Sequence, residues 1–439
     1  MLSPKTLLPI LVGTAVAAGG IFQGLQWRAV GGPAGDVGGL ENQLRIATEE
    51  NNILRRENES LRSLAQGGGE VAVPQELVDR VEKEFGLRFK STPVVHRISN
   101  DDLRERISAS FESAFGPGGL DYRQEAYGLI GWLMPEDKLL VQLTAVRSVG
   151  ARGWFDGETG EGWLTDRFQM ENVPDQAALL RVVVRILLHQ NFPPPPEYPG
   201  DDVARAREAL HQGAASASEA KYYAEQARIS GFIPLADTSE TERVMDQLSP
   251  FIQELTMFPL TDGAAYVNAL KGEGPEKLDE AFRNSPRTTK AILLPGSDVK
   301  EPEVLEMPAV EMEPFMGDRA GELGLRLWLE SLGDAGAALE ISSGWKNDRY
   351  LFFPESETQS AVVWDVVLES KETADRFQEA ALNHVSATAM KEDAPALDEP
   401  VEALNKRFLM VSRVGDDRVR FLNTVKKETA LRLKGSGAP

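Results

Sequence analysis

Residues 174–192 read PDQAALLRVVVRILLHQNF, and the patterning of this stretch decides the fold around it. Pro174 opens it, and a first helical turn tolerates proline because its N–H would be unpaired there. From Ala177 to Leu188 the run is apolar all round except at Arg181 and Arg185. A helix with no polar face belongs in a core. Pro193–Pro196 then forbids continuation, since each proline removes a backbone donor and locks φ. Two guanidinium groups on a buried helix must either pair internally or hold an anion, because a buried charge without a partner is costly.

Around that helix runs a chain of 439 residues, 42% hydrophobic and 26% charged, which is globular composition rather than disorder. The length allows one large domain or two to three ordinary ones. Cysteine is absent, which excludes disulfide scaffolds, thiolate zinc sites, iron–sulfur clusters and cysteine nucleophiles. The net charge of −21 argues against a nucleic-acid partner, whose affinity comes mainly from phosphate neutralisation. It also argues against the folded body lying on an anionic membrane.

The amino-terminal region reads differently. Leu7–Trp27 carries no charge and lies between Lys5 and Arg28. At about 1.5 Å per residue, such a segment spans roughly a bilayer core as a helix. Two readings stand: a retained signal-anchor, or a signal peptide cleaved near Ala15-Val16-Ala17. The first makes the protein membrane-anchored through 7–27 with an extracytoplasmic body, and the second makes it secreted. A Gly-rich spacer follows over 29–39. Leu40, Ala47, Leu54 and Leu61 then recur every seven residues, with Leu44, Asn51, Asn58 and Ala65 between them. Apolar d positions with Asn at a predict a parallel two-stranded coiled coil over 40–66, and hence a homodimer.

Beyond Gly67-Gly68-Gly69 the pattern predicts an α+β body, mainly helical with a small β-sheet. Residues 74–115 read as helical, with a second helix over Asp101–Phe115. Residues 122–146 read as a helix followed by a strand. Two aromatic arms around a Gly-rich turn make Gly153–Leu164 a hairpin. Asp201–Arg228 is a long Ala-rich helix. Helices follow over Ser239–Glu254 and Asp262–Leu270, then a Pro-rich loop over Ser285–Pro314 and a helix over Asp318–Leu332. Strands at 350–353 and 361–368, a helix over Lys371–His384 and a hairpin over Phe408–Thr424 complete the body. The expected domains are thus the hydrophobic helix 1–28, spacer 29–39, stalk 40–66, body 71–385 and extension 386–439.

The chain contains four histidines, none of them paired at i, i+4, and no Gly-rich phosphate loop or nucleophile elbow. A resemblance is nevertheless present. Arg181-Val182-Val183-Val184-Arg185-Ile186-Leu187-Leu188-His189-Gln190-Asn191-Phe192 is similar to the metal helix of minimal gluzincin-type zinc metallopeptidases, His-Glu-Leu-x-His-Ala-Leu-Gln-Asp-Gln-His-Phe. Ala209-Leu210-His211-Gln212-Gly213-Ala214-Ala215 resembles that family's Ala-Leu-x-Glu-Gly-Asp-Ala. In the same order, the Gly153–Leu164 hairpin, Phe258–Val267, Pro286–Leu293 and Gly344–Tyr350 resemble further family segments over roughly residues 75–385. The resemblance implies a zincin-like body.

The departures from the family pattern decide what it implies for activity. Arg181 and Arg185 occupy the two histidine places, Val182 the general base and Gln212 the third ligand. Arginine stays protonated and cannot ligate zinc. The expectation is therefore a retired peptidase with no catalytic residue, metal or cofactor, acting as a binding or scaffold module for a peptide or protein. Its relic cleft would be formed by Arg181, Val182, Arg185 and Gln212, and Arg181, Arg185, His189 and His211 would line any ligand site. A hydrolase of another mechanism is the alternative, drawing on Glu208, His211, Gln212 and His189. A third reading, a metallopeptidase with unusual ligands, requires bound zinc. Glu301-Glu303-Glu306 and Glu311-Glu313 read as solvated acidic loop rather than a calcium site.

Overall fold

The computed structural model describes residues 69–434 apart from 116–118, 232–237 and 391–394. The predicted hydrophobic segment 7–27, the spacer and the coiled coil, with the membrane attachment and dimer they imply, lie outside the described residues. Among the described residues no helix is long and apolar enough to cross a membrane.

The chain begins with α1 (Gln75–Phe85), β1 (Val95–Ile98), α2 (Asn100–Ala114), α3 (Gly119–Ile130) and α4 (Leu139–Ser148). The hairpin strands β2 (Gly153–Phe155) and β3 (Gly162–Thr165) precede α5 (Val173–Asn191) and α6 (Asp201–Ser230). Next come α7 (Ser239–Met245), α8 (Pro250–Glu273), α9 (Pro275–Arg283) and α10 (Thr289–Leu293). The last part holds β4 (Met316–Asp318), α11 (Gly321–Glu330), α12 (Ala335–Ser343), β5 (Trp345–Pro354), β6 (Ser360–Leu368) and α13 (Lys371–Thr388). It ends with β7 (Val401–Glu402), β8 (Phe408–Arg413), β9 (Arg418–Thr424) and α14 (Lys427–Leu433).

These elements form two compact units between which the chain passes repeatedly. The first comprises the described residues through Ser110, Thr144–Pro194 and Ala214–Asp246. The second comprises Phe111–Leu143, Pro195–Gly213 and the chain from Gln247 onward. The body expected over 71–385 is thus divided rather than single.

The first unit is built on α5. Its apolar residues are buried from Ala177 to Leu188, as their all-round distribution demands. The three-stranded sheet β1-β3-β2 packs against it, with β1 parallel and β2 antiparallel to β3. The hairpin matches expectation. Strand β1 is a correction to the helical reading of 74–115. Only Val95 of its four residues is fully buried, so its local pattern is faint. Its identity comes from pairing with residues 162–165.

The second unit holds a six-stranded antiparallel sheet in the order β4-β5-β6-β9-β8-β7. Registered neighbours alternate between its faces. Tyr350, Trp364, Phe421 and Val411 lie on one face. Their neighbours in the chain, Leu351, Val363, Leu422 and Met410, lie on the other. Trp328 of α11 and Phe377 of α13 cover the first face, 5.7 Å apart between ring centres. Ala430 and Leu433 of α14 cover the second, joined by Met307 and Val310. With both faces covered, β6 reads as a nearly continuous apolar run. The one charge at its centre, Asp365, accepts a bidentate pair from Arg420 at 2.7 and 2.8 Å.

This sheet corrects two expectations. It is larger than the small sheet predicted, and the hairpin β8–β9 of the supposed extension 386–439 pairs directly with β6. A boundary at 385/386 would cut one sheet in half. Two further differences are local. The strand expected after the helix at 122–146 is α4, whose Leu139, Leu143 and Val146 are buried at helical spacing. The helix expected over Ser239–Glu254 is divided between α7 and the first turn of α8, and α8 runs on through the helix expected over Asp262–Leu270 with Pro259 inside it. Burial of Phe251, Phe258, Ala264 and Val267 along its length outweighs the hydrogen bond that proline removes.

Candidate functional site

Helix α5 places Arg181, Val182, Arg185 and His189 in the first unit. Arg181 Nη1 donates to Glu219 Oε2 of α6 at 3.2 Å. Burial pushes the Glu219 carboxyl up and Arg181 opposes that shift. Val182, in the general-base place, is buried under the β2–β3 hairpin. A methyl on Gly153 would lie 3.1 Å from its Cγ2. The Arg185 guanidinium stands 5.0 Å from the Phe155 ring centre. His189 packs at 5.6 Å on the same ring. These residues do not fit a zinc ion, because two guanidinium groups offer no lone pair and repel a dication. Among the described residues no group of three His, Asp or Glu side chains is arranged to hold a metal.

The Arg181–Glu219 pair matches the internal-pairing reading of that arginine. Arg181→Met should therefore cost about 1–3 kcal/mol, because it leaves a buried carboxylate without its charged partner. Urea denaturation measures this, and adding Glu219→Gln should recover part of the loss. An Arg181→Met protein as stable as the parent would instead favour the anion-holding reading.

Glu208, His211 and Gln212 lie on α6 within the second unit. His211 is buried, with its ring 5.5 Å from Phe282 and edge-on to it. Glu208 and Gln212 are half-buried.

The second unit also holds a polar cluster that sequence reasoning did not single out. At the start of α6, Asp201 Oδ1 accepts from Arg123 Nε at 2.8 Å and from Tyr198 Oη at 2.6 Å. Its Oδ2 accepts from Tyr350 Oη at 3.0 Å and from Tyr127 Oη. Arg205 Nη2 stands 3.7 Å from the same oxygen and donates to Tyr127 Oη at 2.7 Å. Burial alone would raise the Asp201 carboxyl. Arg123 and Arg205, with the Tyr127 and Tyr198 hydrogen bonds, instead hold it well below the usual carboxylate range. Burial pushes the phenols of Tyr127, Tyr198 and Tyr350 up.

Arg123 joins this hub to a second carboxylate. Its Nη2 donates to Asp318 Oδ2 at 3.1 Å. Asp318 Oδ1 accepts from the backbone N–H of Asp201 at 2.9 Å and of Arg319 at 2.7 Å. Burial and the neighbouring charge of Asp201 push Asp318 up to about 7. Arg123 and Asp318 face a cavity of about 430 Å³, walled by Phe115, Tyr122, Tyr198 and Phe315 and by the backbone of 199–200 and 316–317. Tyr122 stacks on Phe315 at 4.9 Å and 22°. The Arg123 guanidinium lies between Phe115 and Tyr198, at 4.5 and 4.9 Å from their ring centres.

Two further carboxylates in this unit serve as joints. Asp202 Oδ1 accepts from the Thr289 N–H at 2.8 Å and from Thr289 Oγ1 at 2.7 Å. Asp348 accepts from the N–H groups of Ala320 and Gly321 and from the indoles of Trp345 and Trp364, all at 2.9–3.0 Å. Burial pushes Asp202 and Glu322 up to about 7. A carboxyl whose folded pKa lies above its unfolded value binds more protons folded than unfolded between the two values. Its contribution is present below about pH 4 and lost as pH rises towards 7. Melting temperature should therefore fall between pH 5 and 7.5, and Asp202→Asn should flatten that slope. An unchanged slope in the variant would refute the assignment.

The comparisons bear on the carboxyl-terminal part. Residues 313–433 match a family model described as a domain of unknown function, DUF8575. The matched stretch runs from just before β4 through α14 and so contains all six strands of the larger sheet. No curated protein and no solved structure matches the chain.

Proposed function

We propose that the chain is a catalytically silent, zincin-like binding module, carried on a membrane anchor and a coiled-coil stalk. The observation that carries the reading is the employment of Arg181, Val182 and Arg185 in packing α5 against Glu219, the hairpin and Phe155. A helix whose would-be ligand positions are spent this way can keep its shape without chemistry.

The hydrolase alternative finds its best footing in the second unit, where Asp201 and Asp318 have their pKa values pushed apart, as in acid–base pairs. Saturation of Asp201 speaks against it. Both of its oxygens are engaged by phenols and guanidinium groups, which leaves none to attack a substrate or receive a proton. The test is incubation of the purified chain with a mixed peptide library, with and without added zinc. Intact peptides are the expected result, and sequence-selective cleavage that Arg181→Met or Asp318→Asn abolishes would overturn the reading.

A further inference from the structure

The cavity of the second unit has a charge pattern that narrows its ligand. Arg123 and Asp318 are the charged side chains on its lining, and their heads touch at 3.1 Å. Both side chains are more than nine-tenths buried, at 7% and 9% exposure, so they are fixed groups rather than mobile surface charges. An ion of either sign would face its like charge across that distance. A ligand carrying both signs side by side would not.

Among the described residues, three of the five Arg123 donors have protein acceptors: Asp201, the Gly119 carbonyl and Asp318. Oδ1 of Asp318 takes two backbone donors, whereas among the described residues Oδ2 takes Arg123 and keeps acceptor capacity. In an α-amino acid the ammonium nitrogen and nearest carboxylate oxygen are about 3 Å apart, because one carbon separates the two groups. That spacing matches the one between Arg123 Nη2 and Asp318 Oδ2. The volume is at the small end of ligand pockets, which run about 300–1,000 Å³. Phe315, 43% exposed and stacked on Tyr122, offers an apolar wall at the same cavity.

We propose that this cavity binds a free α-amino acid with an apolar or aromatic side chain, its carboxylate on Arg123 and its ammonium on Asp318. The four charges close a ring in which each has two opposite neighbours, and the ligand side chain lies along Phe315 and Tyr122. This deepens the reading of the chain as a binding module and rests on it. Affinity also depends on pH. Asp318 faces Arg123 of α3, Tyr198 just before α6 and Asp201 at its start, Tyr350 of β5, and Arg319 next to it in sequence. The ligand ammonium requires the carboxylate ionised. From its value of about 7, binding should tighten about tenfold between pH 6 and 8.

Isothermal titration calorimetry on the purified full-length chain tests this with L-phenylalanine, L-leucine, glycine, N-acetyl-L-phenylalanine and L-phenylalanine amide. The two apolar amino acids should bind, glycine more weakly, and each blocked derivative at least tenfold more weakly than phenylalanine. Phe315→Ala alters an exposed ring and should fold. It should reduce the preference for phenylalanine over glycine several-fold. Asp318→Asn, where it folds, should remove the pH dependence. Affinities weaker than about 1 mM for every amino acid, or blocked derivatives binding as well as free ones, would overturn the assignment. Release of free amino acids from the dipeptide Leu-Phe would overturn the non-catalytic reading instead, so the two failures are distinguishable.

Discussion

Asp201→Ala should leave the second unit without a cooperative fold at 25 °C. The substitution deletes the acceptor shared by the phenols of Tyr127, Tyr198 and Tyr350 and by the guanidinium of Arg123, and removes the countercharge of Arg205. Breaking a buried ion pair by removing one partner costs about 3–5 kcal/mol. Each buried hydroxyl left without an acceptor adds about 1–3 kcal/mol. Together these approach the whole stability of an ordinary domain, about 5–15 kcal/mol. Asp201→Asn keeps the shape and one acceptor oxygen but turns the other into a donor facing donors, so it should be destabilising to a lesser degree. Near-ultraviolet circular dichroism and urea titration of both variants, with Asp202→Asn alongside, test the ranking. An Asp201→Ala protein melting within a few degrees of the parent would show that the hub does not hold the unit together.

The same hub explains why the site was hard to read from sequence. Arg123, Asp201 and Asp318 belong to no local motif, and 195 positions separate the first from the last. Only the fold brings them together, with β4 as the edge strand beside β5. What was legible was periodic. The all-apolar run of α5, the continuous apolar β6 and the hairpin arms of β8 and β9 each carry a pattern longer than one turn or one strand pair. What was illegible had either too little pattern or two. Strand β1 has four residues and one fully buried side chain. The sequence LLVQLTAV of α4 suits either period, and burial at helical spacing decides it.

The resembling segments have physical reasons to persist whether or not they ever served catalysis. Thr289, in the 286–293 segment, holds Asp202. Trp345, Asp348 and Tyr350, in the 344–350 segment, tie α11, β6 and Asp201 together. Gly213 and Gly263 come from two further segments, and they meet. These motifs mark joints of the second unit, whereas the chemistry that a metal helix would carry is missing from α5.

That meeting of glycines supports the second large prediction. Helices α6 and α8 touch backbone to backbone. A methyl on Gly213 would fall within the backbone of Gly263, 2.7 Å from the Ala264 nitrogen, and one on Gly263 would strike Ala209 at its carbonyl. No flexible side chain is there to yield, so the helices themselves must part, and the neighbouring core residues Leu210, Ala264 and Val267 would lose contact. Overpacking ordinarily costs about 1–3 kcal/mol, and Gly213→Ala should lie at or above the top of that range. Gly213→Leu should be worse. Gly272 provides the internal control. It lies in the same α8, with nothing within 4 Å of an added methyl. Gly272→Ala should therefore stabilise the protein by about 0.5–1 kcal/mol through helix propensity alone. Urea midpoints for the two alanine variants should move in opposite directions. If both moved the same way by similar amounts, the close crossing of α6 and α8 would be wrong. The placement of Asp201, Asp202 and Arg205 at the head of α6 would then be in doubt as well.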